Sequence, residues 1–399
     1  MPWRQVDPMT ERLRFIRDAR RRRVATFSDL CRLYGITRTT GYKWLHRAEQ
    51  SGIDYLQELS RRPHSCPHAT PPELTARLLE ARRHHPSWGP RKLLKLLRRQ
   101  ARRWGQEPRW PARSTVAELL RRNGLTTPRR RRHYPGHPGR PLTPMTAPNV
   151  IWTADYKGQF RLGDGQYCYP LTVQDGFSRY LLSCRGLRGT TYAECRPVFA
   201  RLFQEYGLPE ILRTDNGVPF ATGALGRLSQ LSVWWIRLGI YPELIEPAHP
   251  EQNGRHERMH RTLKRATTRP PAPTPLSQQR RFDAFREEYN QVRPHEALAD
   301  ETPASVYTRS PRPYPSALPP LEYPGHFEVR LVSRNGGVRW QNGWVNVSHV
   351  IAGEYVGFEE IDDGEWDLYF GPMKLGRFHE RLQRVEDDRG RLARKHVKV

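Results

Sequence analysis

The stretch EILRTDNG, residues 210–217, decides how this chain is read. A short apolar run ends on Asp215, and Asn216-Gly217 then turns the chain away. An aspartate in that place caps a turn, or it presents a carboxylate at the tip of a strand, where open α/β sheets hold their ligands. The residues on either side must separate the two readings.

Upstream, VIWTADYKGQF (150–160), QYCYPLTVQD (166–175) and RYLLSCRGL (179–187) are β-rich runs separated by the turn signals GDG and DGFS. TTYAECRPVFARLFQEYG (190–207) predicts a helix closed by Gly207. Downstream, ALGRLSQLSVWWIRLG (224–239) predicts a second helix, with Trp234 and Trp235 as core anchors. A brief strand near YPELIEP (241–247) precedes a third helix, GRHERMHRTLKRATT (254–268). Three meandering strands followed by alternating helices and strands give a mixed α/β layer fold over residues 149–310. Asp155 lies within the first strand, and Asp215 closes the fourth. Beyond a Pro-rich stretch, residues 325–385 alternate in the β manner with NGG, QNG, AGE and DDGE turns, which reads as a small all-β barrel.

Charge separates the two halves of the chain. Residues 1–150 hold 33 basic and 11 acidic side chains, and the remainder 34 and 30, within a formal net charge of +26. A basic half joined to a nearly neutral one points to a polyanion partner, and the predominance of arginine suits phosphate. Residues 1–60 read as a helix-turn-helix domain. A first helix with Leu30 and Leu33 inward meets Gly35, and a basic second helix starts near Thr37, with Tyr42, Trp44 and Leu45 available for packing. Arg38, Thr39, Thr40 and Lys43 fall on its exposed N-terminal part, where a recognition helix contacts DNA. Residues 70–125 hold three more helices and read as a second such module, the last helix capped by Ser114 and stopped by Gly124. Residues 126–148 form a Pro/Arg-rich linker whose run Arg129, Arg130, Arg131 and Arg132 suits phosphate contact.

The five cysteines form no C-x-x-C pair, and His64, Cys66 and His68 lack the usual zinc spacings. No apolar run approaches the roughly 18 residues that span a bilayer. The N-terminus lacks the apolar stretch of a secretory signal. The expectation is a soluble, cytoplasmic protein without a membrane partner.

WTADY, RTDNG and HPEQNGRHERMHRTLK resemble the integrase-type core of bacterial insertion-sequence DDE transposases and retroviral integrases. YNQVRPHEAL and ETPASVY (within 289–307) resemble the tail of the insertion-sequence branch. No His-His-Cys-Cys zinc domain of the retroviral kind can be assembled, which favours the bacterial branch. The resemblance implies a ribonuclease H-like core whose Asp155, Asp215 and a glutamate are both catalytic and metal-binding. Spacing alone would select Glu251, with 35 residues between it and Asp215, over Glu257, with 41. Local context selects Glu257. It lies in the first turn of the helix after Gly254, where the family pattern P-x-x-x-G-x-x-E places its acid when laid on Pro250 and Gly254. His249, His256 and His260 read as DNA-facing or structural, because imidazole suits zinc better than magnesium.

The implied activity is binding of an element's terminal repeats, 3′-end cleavage and strand transfer into target DNA. It would use two Mg²⁺ ions, with Mn²⁺ as a substitute, and no organic cofactor. Three carboxylates neutralise well around hard divalent cations. Arg261 and Lys264, at i+4 and i+7 from Glu257, would hold DNA phosphates beside them. The partners implied are double-stranded DNA, both terminal repeats and target, and further copies of the chain, a dimer or higher on DNA. The location implied is the bacterial cytoplasm, at the nucleoid. The alternative is a non-catalytic DNA-binding regulator or decayed transposase, which would be expected to lack an acid of the triad. A ribonuclease H-like nuclease would not need two helix-turn-helix modules.

Overall fold

The computed structural model describes residues 7–21, 25–51, 56, 58, 69–103, 105, 108–126, 142–247, 249–388 and 390–392. Two compact units divide at Thr70/Pro71. Arg129, Arg130, Arg131, Arg132, His64, Cys66 and His68 lie outside the described residues. Among the described residues no helix is long and apolar enough to cross a membrane.

The first unit contains α1 (Pro8–Arg20), α2 (Phe27–Leu33) and α3 (Arg38–Ser51). Side-chain oxygens start the first two: Asp7 accepts from the Thr10 amide and Thr26 from the Asp29 amide. Gly35 turns the chain at φ 64°, and the Thr37 hydroxyl accepts from the Thr40 amide at the head of α3. Phe15, Ile16, Leu30, Cys31, Trp44 and Ala48 form the core. Leu33 does not join it and is 72% exposed. The inward stripe of α2 is Phe27, Leu30, Cys31 and Tyr34, at i, i+3, i+4 and i+7, so Leu33 falls off it. Gly41 fixes that stripe, because a Cβ there would lie 2.7 Å from Cys31 Sγ. Tyr42, available for packing by its position, meets the Phe27 ring at a tilt of 33° at the surface.

The second unit opens with α4 (Pro72–His84), α5 (Pro90–Arg103) and α6 (Arg113–Arg122), closed over Leu74, Leu78, Trp88, Leu93, Val116 and Leu120. Ser114 is not the cap expected of it. The helix begins at Arg113, two residues earlier than a cap at Ser114 requires, and Ala112 stands at the cap position without a side-chain bond. Gly124, at φ 67°, ends the helix. Cations of α5 do not all face solvent. Arg91 pairs with Asp300 and Glu296, and Lys95 with Glu301, each at 2.7 Å. Val292 adds to the apolar contact, and Arg293 lies over the Trp88 ring. The three helices thus dock on the tail of the domain that follows.

That domain is built on one mixed sheet. Its strands are β1 (Ile151–Tyr156), β2 (Phe160–Arg161), β3 (Tyr167–Asp175), β4 (Leu181–Leu187), β5 (Ile211–Thr214) and β6 (Tyr241–Leu244). The spatial order β4-β3-β1-β5-β6 has an antiparallel meander on one side and parallel strands on the other, the order of a ribonuclease H-like core. α7 (Tyr192–Tyr206) and α8 (Gln230–Arg237) cover one face through Phe199, Phe203 and Trp235. α9 (Gly254–Thr267) and α10 (Pro275–Glu287) cover the other through Met259, Leu263, Phe282 and Phe285. Both faces of β1 are therefore buried. α8 starts later than its apolar pattern suggested, because Gly226 at φ 61° breaks the run and Ser229 caps the helix reciprocally with Ser232. α11 (Pro303–Val306) follows the docked tail.

The C-terminal strands are β7 (Glu328–Leu331), β8 (Gly337–Trp340), β9 (Gly343–Asn346), β10 (Tyr355–Asp362), β11 (Glu365–Phe370), β12 (Met373–His379) and β13 (Arg384–Glu386). They pair as a five-stranded antiparallel sheet, β13-β12-β11-β10-β7, and a separate β8–β9 hairpin, rather than as one ladder. Trp340, Phe358, Phe370 and Phe378 share a core with Leu228, Val233 and Ile236, so these sheets pack on the α8 side of the central domain.

Candidate active site

Strand register brings the first two acids together. β1 and β5 are parallel neighbours with Ala154 opposite Thr214, so the residues that follow are Asp155, still on β1, and Asp215, just beyond the end of β5. Both carboxylates emerge at the C-terminal end of the parallel strands, the edge where such sheets bind ligands. The Gly217 amide donates to Asp215 Oδ1 at 3.2 Å, and Asn216 Nδ2 donates to the Ile245 carbonyl at 2.7 Å. The turn after β5 is therefore held against the end of β6. Glu257, the third acid expected from the sequence, is exposed in the first turn of α9.

Electrostatics link the three. Burial pushes the Asp155 carboxyl up to about 7, and the charge of Asp215 and then that of Glu257 push in the same direction. The Tyr156 amide and Lys157 oppose them. Burial also raises Asp215, against the Gly217 amide. A half-buried carboxyl that feels the charges of two more acids stabilises a cation placed among them. The donor set, carboxylate oxygens only at the open side, suits a hard divalent ion.

Two histidines flank Glu257 on the inner side of α9. His256 is fully buried and His260 is 6% exposed, so both are structural rather than DNA-facing. Ligand atoms of Asp155, His256 and His260 fall within 4.8 Å of one another, a spacing that a metal ion could also use. Three of the four ring nitrogens are already engaged by threonine hydroxyls. His256 Nδ1 meets Thr153 at 2.8 Å, and His256 Nε2 and His260 Nε2 meet Thr172 at 2.6 and 2.7 Å. Burial lowers the basicity of both rings, His256 to about 3. His249, outside this cluster, lies 3.7 Å from Glu246.

Of the remaining sequence-derived residues, Arg261 and Lys264 are exposed on the Glu257 helix. In the first unit Arg38, Thr39 and Lys43 are exposed and Thr40 is half-buried at the head of α3. Lys43 Nζ lies 4.7 Å from the Trp44 ring centroid, beside Arg12 and Arg47 on the same ring. Sequence reasoning does not single out Lys157. It stands two residues beyond Asp155, whose carboxyl feels its charge, and burial and then the charge of Lys264 lower the Lys157 ammonium. The period of two along an extended segment is the signal that could have found it. The Glu251 side chain lies outside what the structure describes.

Residues 145–250 and 238–303 match integrase core domains. Residues 11–64 match a helix-turn-helix domain and residues 40–120 a homeodomain-like domain. The chain is 28% identical to the 31.7 kDa protein of insertion element IS407 from Burkholderia multivorans over 230 residues, 56% of this chain and 77% of that one. It is 28% identical to the 39.2 kDa protein of IS476 from Xanthomonas euvesicatoria over 58% of this chain and 63% of that one. The Gag-Pol polyprotein of baboon endogenous virus is 27% identical over 34% of this chain, which is 7% of the viral protein. With this sheet order and these matches together, the chain carries helix-turn-helix and integrase core domains and is homologous to insertion-element proteins and retroviral integrases.

Proposed function

We propose that this chain is an active DDE transposase that binds the terminal repeats of an insertion sequence, frees their 3′ ends and joins them to target DNA. The observation that carries the reading is the Ala154–Thr214 register, which sets Asp155 beside Asp215, with the charge of Glu257 reaching the same carboxyl. Asp155, Asp215 and Glu257 would hold two divalent cations, Mg²⁺ by preference. When bound, these would supply Lewis acidity to the attacking and leaving oxygens of a displacement at phosphorus.

The chain's own residues orient the DNA. Arg261 and Lys264 grip the phosphates flanking the scissile bond from α9, and Lys157 does so from the end of β1. In the first step a water oxygen bonds to phosphorus and the P–O3′ bond breaks, leaving a 3′-hydroxyl on the element end and a 5′-phosphate on the flank. In the second, that hydroxyl bonds to a target phosphorus and the target's own 3′ oxygen leaves, so no covalent protein intermediate is needed. α3, with Arg38, Thr39, Thr40 and Lys43, reads the terminal repeat in the major groove. Arg129 to Arg132 neutralise DNA phosphates. Joining two ends to one target requires two active sites, hence at least a dimer on DNA.

The test is incubation with candidate element-end duplexes and Mg²⁺, with nicks mapped to the nucleotide. Nicks at the element's 3′ ends are expected. Specific end binding without any nick would leave only the regulator reading.

A further inference from the structure

The hydroxyl of Thr172 has three partners and only one hydrogen. It lies 3.0 Å from the Asp155 carbonyl, 2.6 Å from His256 Nε2 and 2.7 Å from His260 Nε2. Three arrangements satisfy it. In the first two His260 donates to Thr172 from Nε2, and Thr172 donates either to the Asp155 carbonyl or to His256 Nε2. The Nδ1 lone pair of a neutral His260 then faces Asp155 Oδ2, 3.6 Å away, inside a buried pocket. Either arrangement sets two electron-rich atoms against each other.

In the remaining arrangement each short threonine–histidine contact has one donor and one acceptor. Thr153 Oγ1 donates to His256 Nδ1 at 2.8 Å, shorter than its 3.3 Å alternative to the Gln174 carbonyl. His256 Nε2–H donates to Thr172, and Thr172 donates to His260 Nε2. This leaves the proton of His260 on Nδ1, pointing at Asp155 Oδ2. The chain uses the shorter of each hydroxyl's contacts and ends with a positive edge toward a carboxylate. At 3.6 Å the last link is electrostatic alignment rather than a hydrogen bond.

We propose that this buried chain, Thr153–His256–Thr172–His260, positions the Asp155 carboxylate and locks the Glu257 helix to the strands that carry Asp155. It spans β1 (Thr153), β3 (Thr172) and α9 (His256 and His260), and the two histidines lie one residue before and three after Glu257. Outer partners of this kind orient a ligating group and tune its hold on a metal. The inference rests on Asp155 being a metal ligand, and its members are positioning residues, because none reaches the open side of the site.

The test combines two readouts on the full chain. In metal-free wild type, held at a pH above the range in which Asp155 titrates so that its carboxylate is ionised, ¹⁵N spectra of labelled histidine should show His260 as the Nδ1–H tautomer, a result that needs no variant to fold. Mn²⁺ titration followed by electron paramagnetic resonance should then show Thr172→Val binding about 10–100-fold more weakly than wild type. Thr172→Ser, which keeps the hydroxyl, should retain wild-type affinity. An Nε2–H tautomer of His260 overturns the chain. So does a folded Thr172→Val protein that binds Mn²⁺ as wild type does. A wild type that binds no Mn²⁺ while His260 is the Nδ1–H tautomer sinks the metal reading of Asp155, and the positioning role with it.

Discussion

The two helical modules look alike in sequence and differ in what their cations do. In the first, Arg38 and Lys43 stand on the exposed head of α3, and the cations around Trp44 lie on the surface of its ring. In the second, Arg91 and Lys95 of the more basic α5 are tied to Glu296, Asp300 and Glu301, and Arg121 and Arg122 of α6 both bond Glu118. A run of arginines therefore does not identify a DNA-facing helix. Where the chain folds acids back against it, the same charge serves as a clamp between modules. Of the two, the first leaves Arg38 and Lys43 exposed at the head of α3, and the second is partly a structural bracket on the integrase core.

The largest expected effect separates cutting from both modules. Asp155→Asn, Asp215→Asn and Glu257→Gln should each lower nicking of element ends by about a thousandfold or more, the scale seen when electrostatic support of the transition state is removed. Gel-shift affinity for the same ends should stay near wild type, because neither module is touched. Glu251→Gln should remain active; a dead Glu251 variant beside a live Glu257 variant would reverse the assignment of the third acid.

Next comes the integrity of the bracket. Trp88 is buried at the centre of the second module and carries Arg293 on its ring. Trp88→Ala should cost about 3–5 kcal/mol of stability, read by denaturant unfolding. An unchanged unfolding midpoint would mean that the bracket contributes nothing to the core.

A smaller effect concerns Lys92, at the same junction. Burial first, and then the charge of Arg293, lower its pKa to about 8, while Glu288, Asp300 and Glu296 oppose the shift. A lysine whose folded pKa lies below its unfolded value binds fewer protons in the native state between the two. Stability should therefore rise as pH increases from about 8 toward 10.4. Lys92→Met should remove that slope and raise stability at neutral pH. Chemical denaturation across the window checks it, and a slope that survives the substitution excludes Lys92 as its source.

The smallest effects compare the modules directly. Arg38→Ala or Lys43→Ala should weaken binding to element ends, with melting unchanged. Each should also reduce the slope of log K against log salt by about one for every phosphate left without its cation. Arg91→Gln or Lys95→Gln should lower the melting midpoint and leave the salt slope as it was. The reverse pattern would exchange the roles given to the two helices.

Much of the central domain was legible from the residues alone. Strands of period two and helices closed by glycine follow from local chemistry, and so does a carboxylate at the tip of EILRTDNG. The misread points share a cause. Leu33 is apolar and in phase with Leu30 by a count of three, but the inward stripe was fixed by Phe27 and Gly41, residues that matter only once α3 is packed. Ser114 and the early part of the 224–239 run lost to neighbours, Ala112 at one helix start and Ser229 at the other, because caps depend on backbone angles rather than on residue type.

By itself, then, the sequence determined where the acids sit along the chain, which helix carries Glu257 and which half is basic. These depend on neighbours a few residues away. Tertiary structure alone decided that Asp155 meets Asp215, because a parallel ladder joins strands about sixty residues apart. It also decided that His256 and His260 turn inward to Thr153 and Thr172, and that α5 loses part of its positive charge to the acids of residues 296–301. Those outcomes depend on which distant surfaces close on each other, and burial then fixes which hydrogen bonds and charges must be satisfied.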